Sequence, residues 1–96
     1  YQNIMFTAAA EALGRASGLG WDRFVRERIF VPLGMKNSTT LHSEIMQHTD
    51  RASGHVRREG KLSPAPWGNY DNIGGAGSIA SSTFDMTQWL RLQLNG

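Results

Sequence analysis

The chain has 96 residues, a formal charge of +2 and an apolar share of 40%, so it forms one domain at most and buries roughly 60–70% of its unfolded surface. It contains no cysteine, which excludes disulfides, thiol catalysis and zinc–thiolate sites. The basic excess is scattered rather than gathered on one face, which argues against nucleic-acid binding, and no apolar run approaches the roughly 20 residues of a membrane span.

The chain opens YQNIMFTAAAEALGRASG. Free chain ends are usually ragged and polar, whereas Tyr1 and Asn3 stand directly against Ile4, Met5 and Phe6, as in the interior of a larger fold. The spacing predicts a helix from Ile4 to Ser17, with Asn3 as N-cap and Gly18 as C′ residue. Thr7, Glu11, Gly14 and Arg15 form its narrow wet stripe, so the rest of the helix wants cover. A second helix is predicted from Trp21 to Phe30. Trp21, Phe24, Val25 and Ile29 share its inner face, Asp22–Arg26 and Arg23–Glu27 pair outside, and Pro32 stops it. The turn-rich PLGMKNSTTL follows, with Leu33 and Met35 as anchors.

A short, weak helix is expected between Ser43 and Arg51. Residues 52–67, ASGHVRREGKLSPAPW, read as a hairpin turning near Glu59-Gly60, with Pro64 and Pro66 ending it. From Trp67 to Gly77 glycine, asparagine and aromatics follow no period. A last helix starts at Ser82, where Ser82 and Asp85 suit a capping box. It carries Phe84, Met86, Trp89, Leu90 and Leu94 and ends at Asn95-Gly96. The fold class is therefore α+β, mostly helical, with one weak hairpin and much apolar surface for so few neighbours.

The usual nucleophile frames fail. None of the eight serines sits in a Gly-x-Ser-x-Gly elbow or has a lysine three positions on, and neither Lys36 nor Lys61 begins Lys-Thr-Gly. His42, His48 and His55 lack metal-ligand spacing and read as solvated loop histidines. Gly75-Ala-Gly-Ser-Ile-Ala80 has the outline of a dinucleotide fingerprint without the strand and distal acid that it needs, and reads as a tight turn before the last helix. Asn37-Ser38-Thr39 has the form of a glycosylation sequon and carries little weight, and Glu11, Asp22, Glu27 and Asp85 have surface or capping explanations. That leaves Tyr1-x-Asn3 at the mouth of a helix. A phenol with a reference pKa near 10 is a poor base alone, but beside an ammonium its phenolate is favoured and can take a proton from a serine. Asn3 offers an amide donor and acceptor from the same edge; the bland alternative is a chain end and a helix cap.

The order of landmarks adds to this. Tyr1-Gln2-Asn3, then Phe24-Val-Arg-Glu-Arg-Ile-Phe-x-Pro-Leu-Gly-Met35, then Gly74-Gly … Ser81-Ser-Thr-x-Asp85 … Trp89-Leu90 resembles the class C β-lactamase-related serine hydrolases. That family includes penicillin-binding proteins, D-aminopeptidases and certain esterases. The resemblance runs over essentially the whole chain. It implies a segment, the helical portion with a weak hairpin, of a β-lactamase/transpeptidase-like fold, and a single unit over residues 1–96. It further implies a Ser-x-x-Lys nucleophile upstream and a Lys-Thr-Gly or His-x-Gly strand downstream. Tyr1 would match the tyrosine that activates the serine, and Asn3 the asparagine that positions substrate and lysine. Gln2 stands where the family often has a small residue. The implied chemistry is acyl transfer from an amide or ester to serine and then to water, with no cofactor and no metal, on a small-molecule or peptide substrate. Apart from the resemblance, Trp67, Tyr70 and Asn72 are candidates to line an acyl or leaving-group pocket. A bacterial periplasm or cell envelope is the setting to which the resemblance leans. Alone, the segment is expected to lack turnover and to self-associate through uncovered apolar faces. The alternative is a non-catalytic peptide- or partner-binding module on the same fold.

Overall fold

The computed structural model describes all residues from 1 to 96. Helix α1 (Asn3–Ser17) runs through the alanine-rich opening and ends at Gly18, whose φ of 71° closes it in the left-handed conformation. The helix begins one residue earlier than the spacing predicts. Gln2, extended at φ −153°, is the N-cap, and no side chain caps the first turn, so Asn3 lies inside the helix and its carbonyl accepts from Thr7 Oγ1 at 3.1 Å. The exposed face of α1 is wider than the predicted stripe, because Ile4, Met5, Phe6, Ala8, Ala9, Ala12 and Ala16 also reach solvent. Glu11 and Arg15 do pair in solvent at 2.8 Å, but Thr7 and Gly14 are half-buried. A Cβ on Gly14 would stand 3.2 Å from the Gly20 Cα, so the missing side chain lets the chain fold back at once.

The second helical region does not stop at Pro32. It runs as α2 (Trp21–Val25), a π-helical stretch (Arg26–Phe30) and α3 (Val31–Leu33). In an unbroken α ladder Pro32 would collide with the carbonyl four residues back. The π stretch resets the register, with the Val31 N–H reaching Arg26 O, and Pro32 falls in the first turn of α3, where a missing N–H is no loss. Gly34, at φ 67°, ends it. Arg23 and Glu27 pair at 2.7 Å as expected, whereas Arg26 turns from Asp22 to Glu44, on the next element, at 2.7 Å.

Val25, Phe30 and Met35 form the small core, against which Trp21, Ile29, Leu33 and, from the last helix, Trp89 pack. The expected helix over 43–51 is only α4 (His42–Ile45). Beyond it the Arg51 guanidinium donates to the carbonyls of Met46 and His48, which holds this stretch as an irregular loop. Strands β1 (His55–Arg58) and β2 (Lys61–Pro64) pair antiparallel, Arg58 opposite Lys61. Glu59 and Gly60 turn the hairpin with φ of 48° and 80°, the doubly left-handed geometry that matches strand twist.

The aperiodic stretch holds a 3-10 turn (Asp71–Ile73) and a single helical turn, α5 (Gly74–Gly77). Gly74 and Gly75 are explained by close approach rather than by phosphate binding or a simple turn. A Cβ on Gly75 would lie 2.3 Å from the Ala10 Cβ and 2.7 Å from the Phe6 carbonyl oxygen, and one on Gly74 would lie 2.8 Å from the Trp21 ring. Helix α6 (Thr83–Asn95) starts where expected, with the Ser82 side chain accepting from the Asp85 N–H at 3.2 Å. Asp85 does not complete a capping box. It is fully buried, and its Oδ2 accepts from the Asn37 N–H and from Ser38 Oγ, both at 2.7 Å. Two backbone hydrogen bonds between Thr39 and Ala80, 3.0 and 2.9 Å, complete this joint.

Candidate functional site

Tyr1 and Asn3 stand at the mouth of α1. Tyr1 is 99% exposed, its ring 5.4 Å from that of Phe6 at a tilt of 36°, so the ring has an apolar neighbour while the hydroxyl faces solvent. Asn3 is exposed too and lines an open groove of about 420 Å3 with Ile4, Thr7, Glu11 and Ile73. Ile73 brings the second part of the site into reach. It ends the 3-10 turn that follows Tyr70, and the seat of Gly75 on Ala10 presses that turn against the first half of α1.

Trp67 and Tyr70 come together on a smaller cavity of about 100 Å3, shared with Ile45, Ile79 and Ala80. The Trp67 indole donates to the Ala52 carbonyl at 3.2 Å, which ties it back to the base of the hairpin. Asn72 is exposed in the 3-10 turn and outside that lining. Trp67 and Tyr70 thus share one wall, while Asn72 stands on the stretch between them and the Asn3 groove.

Asp71, Asn69, His42 and Glu44, none of them a site candidate from the sequence, lie on the elements beside this arrangement. The Asp71 carboxylate accepts the His42 N–H at 2.8 Å, and the Asp71 N–H is met by Asn69 Oδ1 at 2.9 Å; the Asn69-x-Asp71 spacing is the signal in the sequence for that local turn. His42 is not a solvated loop histidine. It begins α4, is half-buried, and its Nε2 is shielded from solvent without a hydrogen-bond partner in the chain. Glu44, on the same short helix, takes hydrogen bonds from Thr39 Oγ1 and from Arg26 Nη2. The Thr39 hydroxyl foremost, with the Arg26 guanidinium, holds the Glu44 carboxyl below its ordinary value, while partial burial opposes the shift. No three His, Asp or Glu side chains gather as a metal-binding group.

The family model Beta-lactamase matches residues 1–96. The chain is 32% identical over 95 residues to the D-alanyl-D-alanine-carboxypeptidase/endopeptidase AmpH of Escherichia coli K12, covering 99% of this chain and 23% of that protein. It is 33% identical over 97 residues to the unguisins hydrolase ungD' of Aspergillus campestris, covering 93% of this chain and 17% of that one. Its fold matches the octameric penicillin-binding protein homologue from Pyrococcus abyssi with a TM-score of 0.87 and 26% identity, over 99% of this chain and 21% of that chain. The chain therefore spans roughly a fifth of the length of these relatives. The mostly helical α+β fold with its hairpin is part of a β-lactamase/penicillin-binding-protein-like fold.

Proposed function

The chain belongs to the beta-lactamase family, and on that premise we propose that it is part of a serine hydrolase acting on an amide or ester through an acyl-enzyme. The observation that carries the reading is Tyr1-x-Asn3, two exposed polar side chains flanking an extended Gln2 at the first turn of a helix. In this reading Tyr1 relays the proton between serine, lysine and leaving group, a role that requires a neighbouring cation to favour its phenolate. Asn3 positions the substrate amide and the lysine. The serine and that lysine lie outside residues 1–96, since no serine here has a lysine three positions on.

The likeness to a D-alanyl-D-alanine carboxypeptidase/endopeptidase supports a peptide ending in D-alanine as the substrate class. The complete protein incubated with such a peptide should release D-alanine, and the 96-residue segment alone should release none. A folded complete protein that leaves the peptide, a penicillin and a simple phenyl ester all intact would refute the hydrolase and favour a non-catalytic peptide-binding module. The isolated segment is also proposed to self-associate, because Ile4, Met5, Phe6, Phe84, Leu90 and Leu94 are all exposed.

A further inference from the structure

The Tyr70 ring lies across a residue that has no side chain. A Cβ built on Gly68 would meet the Tyr70 Cζ and Oη at 2.7 Å and its Cε2 at 2.8 Å, so the far edge of the ring rests on the Gly68 backbone. No other residue type leaves room for it there. The turn is fixed a second time just beyond, where Asp71 accepts the His42 N–H at 2.8 Å and so binds it to the start of α4. Tyr70 itself is 53% exposed, and its ring faces a cavity of about 100 Å3 whose other walls include Ile45, Ile79 and Ala80. An exposed aromatic ring held by a glycine below and a backbone anchor beside it is a prepared apolar surface.

We infer that Gly68 and Asp71 are positioning residues that fix Tyr70 as one wall of the substrate pocket, so that the 68–71 turn selects for an apolar acyl group. The inference rests on the hydrolase reading above. Five of the nine lining residues are apolar, and Asp71 and Ser78 are among the others, so the preferred group is a hydrocarbon chain or apolar side chain rather than an anionic one. Gly68→Ala pushes only the far end of a side chain that can rotate away, so the fold survives while the wall moves. Asp71→Ala removes the anchor, and Asp71→Asn keeps it, because an amide oxygen accepts the same N–H.

The test is kinetic and uses the complete protein with p-nitrophenyl acetate and p-nitrophenyl hexanoate, read as the ratio of their kcat/KM values. Gly68→Ala should lower the hexanoate-to-acetate ratio by about fivefold, the scale of one misplaced apolar contact in a pocket. Tyr70→Ala should lower it at least as much, and adding Gly68→Ala to Tyr70→Ala should change nothing further, because the glycine acts only through the ring. Asp71→Ala should shift the ratio the same way and Asp71→Asn should restore it, a pattern that loss of stability alone does not produce. An unmoved ratio, effects of Gly68→Ala and Tyr70→Ala that multiply, or an Asp71→Asn as impaired as Asp71→Ala would overturn the inference while leaving the hydrolase intact. A wild-type protein that hydrolyses neither ester and is acylated by no probe would overturn the hydrolase reading, and this inference with it.

Discussion

Asp85 shows how a single carboxylate can join distant parts of the chain. Its N–H sits under the Ser82 cap, while its Oδ2 receives a backbone N–H and a hydroxyl from residues 37 and 38, and none of the residue reaches solvent. Removing the acceptor takes the partner from the Asn37 N–H and leaves Ser38 Oγ with Ser81 Oγ alone, at 2.8 Å. Asp85→Ala should therefore cost about 2–3 kcal/mol, the range for a hydrogen-bonded charged partner removed from the interior, measured as a shift of the urea midpoint of the complete protein. Tyr1 behaves oppositely, because a side chain 99% exposed contributes little packing. Tyr1→Phe should leave the unfolding midpoint where it is and lower acylation of the complete protein by about 100-fold or more, the scale of a lost general acid–base group. Equal loss of stability and rate would mean that the tyrosine is structural.

Among the elements, α5 seats on α1 through Gly75, and the Thr39–Glu44–Arg26 group joins α4 to the π-helical stretch. Gly75→Ala places a methyl group 2.3 Å from the Ala10 Cβ and should cost about 1–3 kcal/mol by overpacking. Adding Ala10→Gly should restore only part of this, because the Phe6 carbonyl oxygen, 2.7 Å away, still obstructs. Glu44 makes the stability of its corner depend on pH. Its carboxyl is held below the ordinary value, so the folded state binds the proton more weakly than the unfolded one. That contribution is complete above roughly pH 5 and is lost as the pH falls through the depressed value. Acid unfolding of Glu44→Gln should accordingly be less steep than that of the wild type. What was legible in the sequence at this scale follows from local chemistry. The Glu59-Gly60 turn, the Ser82 cap and the extent of α1 and α6 rest on neighbouring residues. The continuation through Pro32 was not legible, because proline is read as a helix stop and is accommodated here only by the π-helical shift of the ladder. The partners of Asp85 and Arg26 were not legible either, because residues 37–38 and 44 meet them only after folding. Gly68 and Gly75 read as loop glycines, since the ring and the helix they admit are distant or flexible.

As a whole, the molecule has a small core and long uncovered faces. Ile4 on α1 is 70% exposed and Leu94 on α6 is 83% exposed, while the relatives carry about four-fifths of their length beyond the matched part. Sedimentation of the isolated segment should show its average mass rising with concentration; a monomer at every concentration would contradict the proposal that these faces associate when left bare. Tyr1-x-Asn3 can be read from three adjacent positions, whereas the Ser-x-x-Lys group that its proposed role needs is not found among these residues. The most direct measurement is the intact mass of the complete protein after exposure to a penicillin and, separately, to a fluorophosphonate. The acyl-enzyme account predicts a single adduct, from at least one reagent, on a serine outside residues 1–96, formed far more slowly in Tyr1→Phe. No adduct from either reagent on a folded protein, or an adduct on one of the serines within these 96 residues, would contradict it.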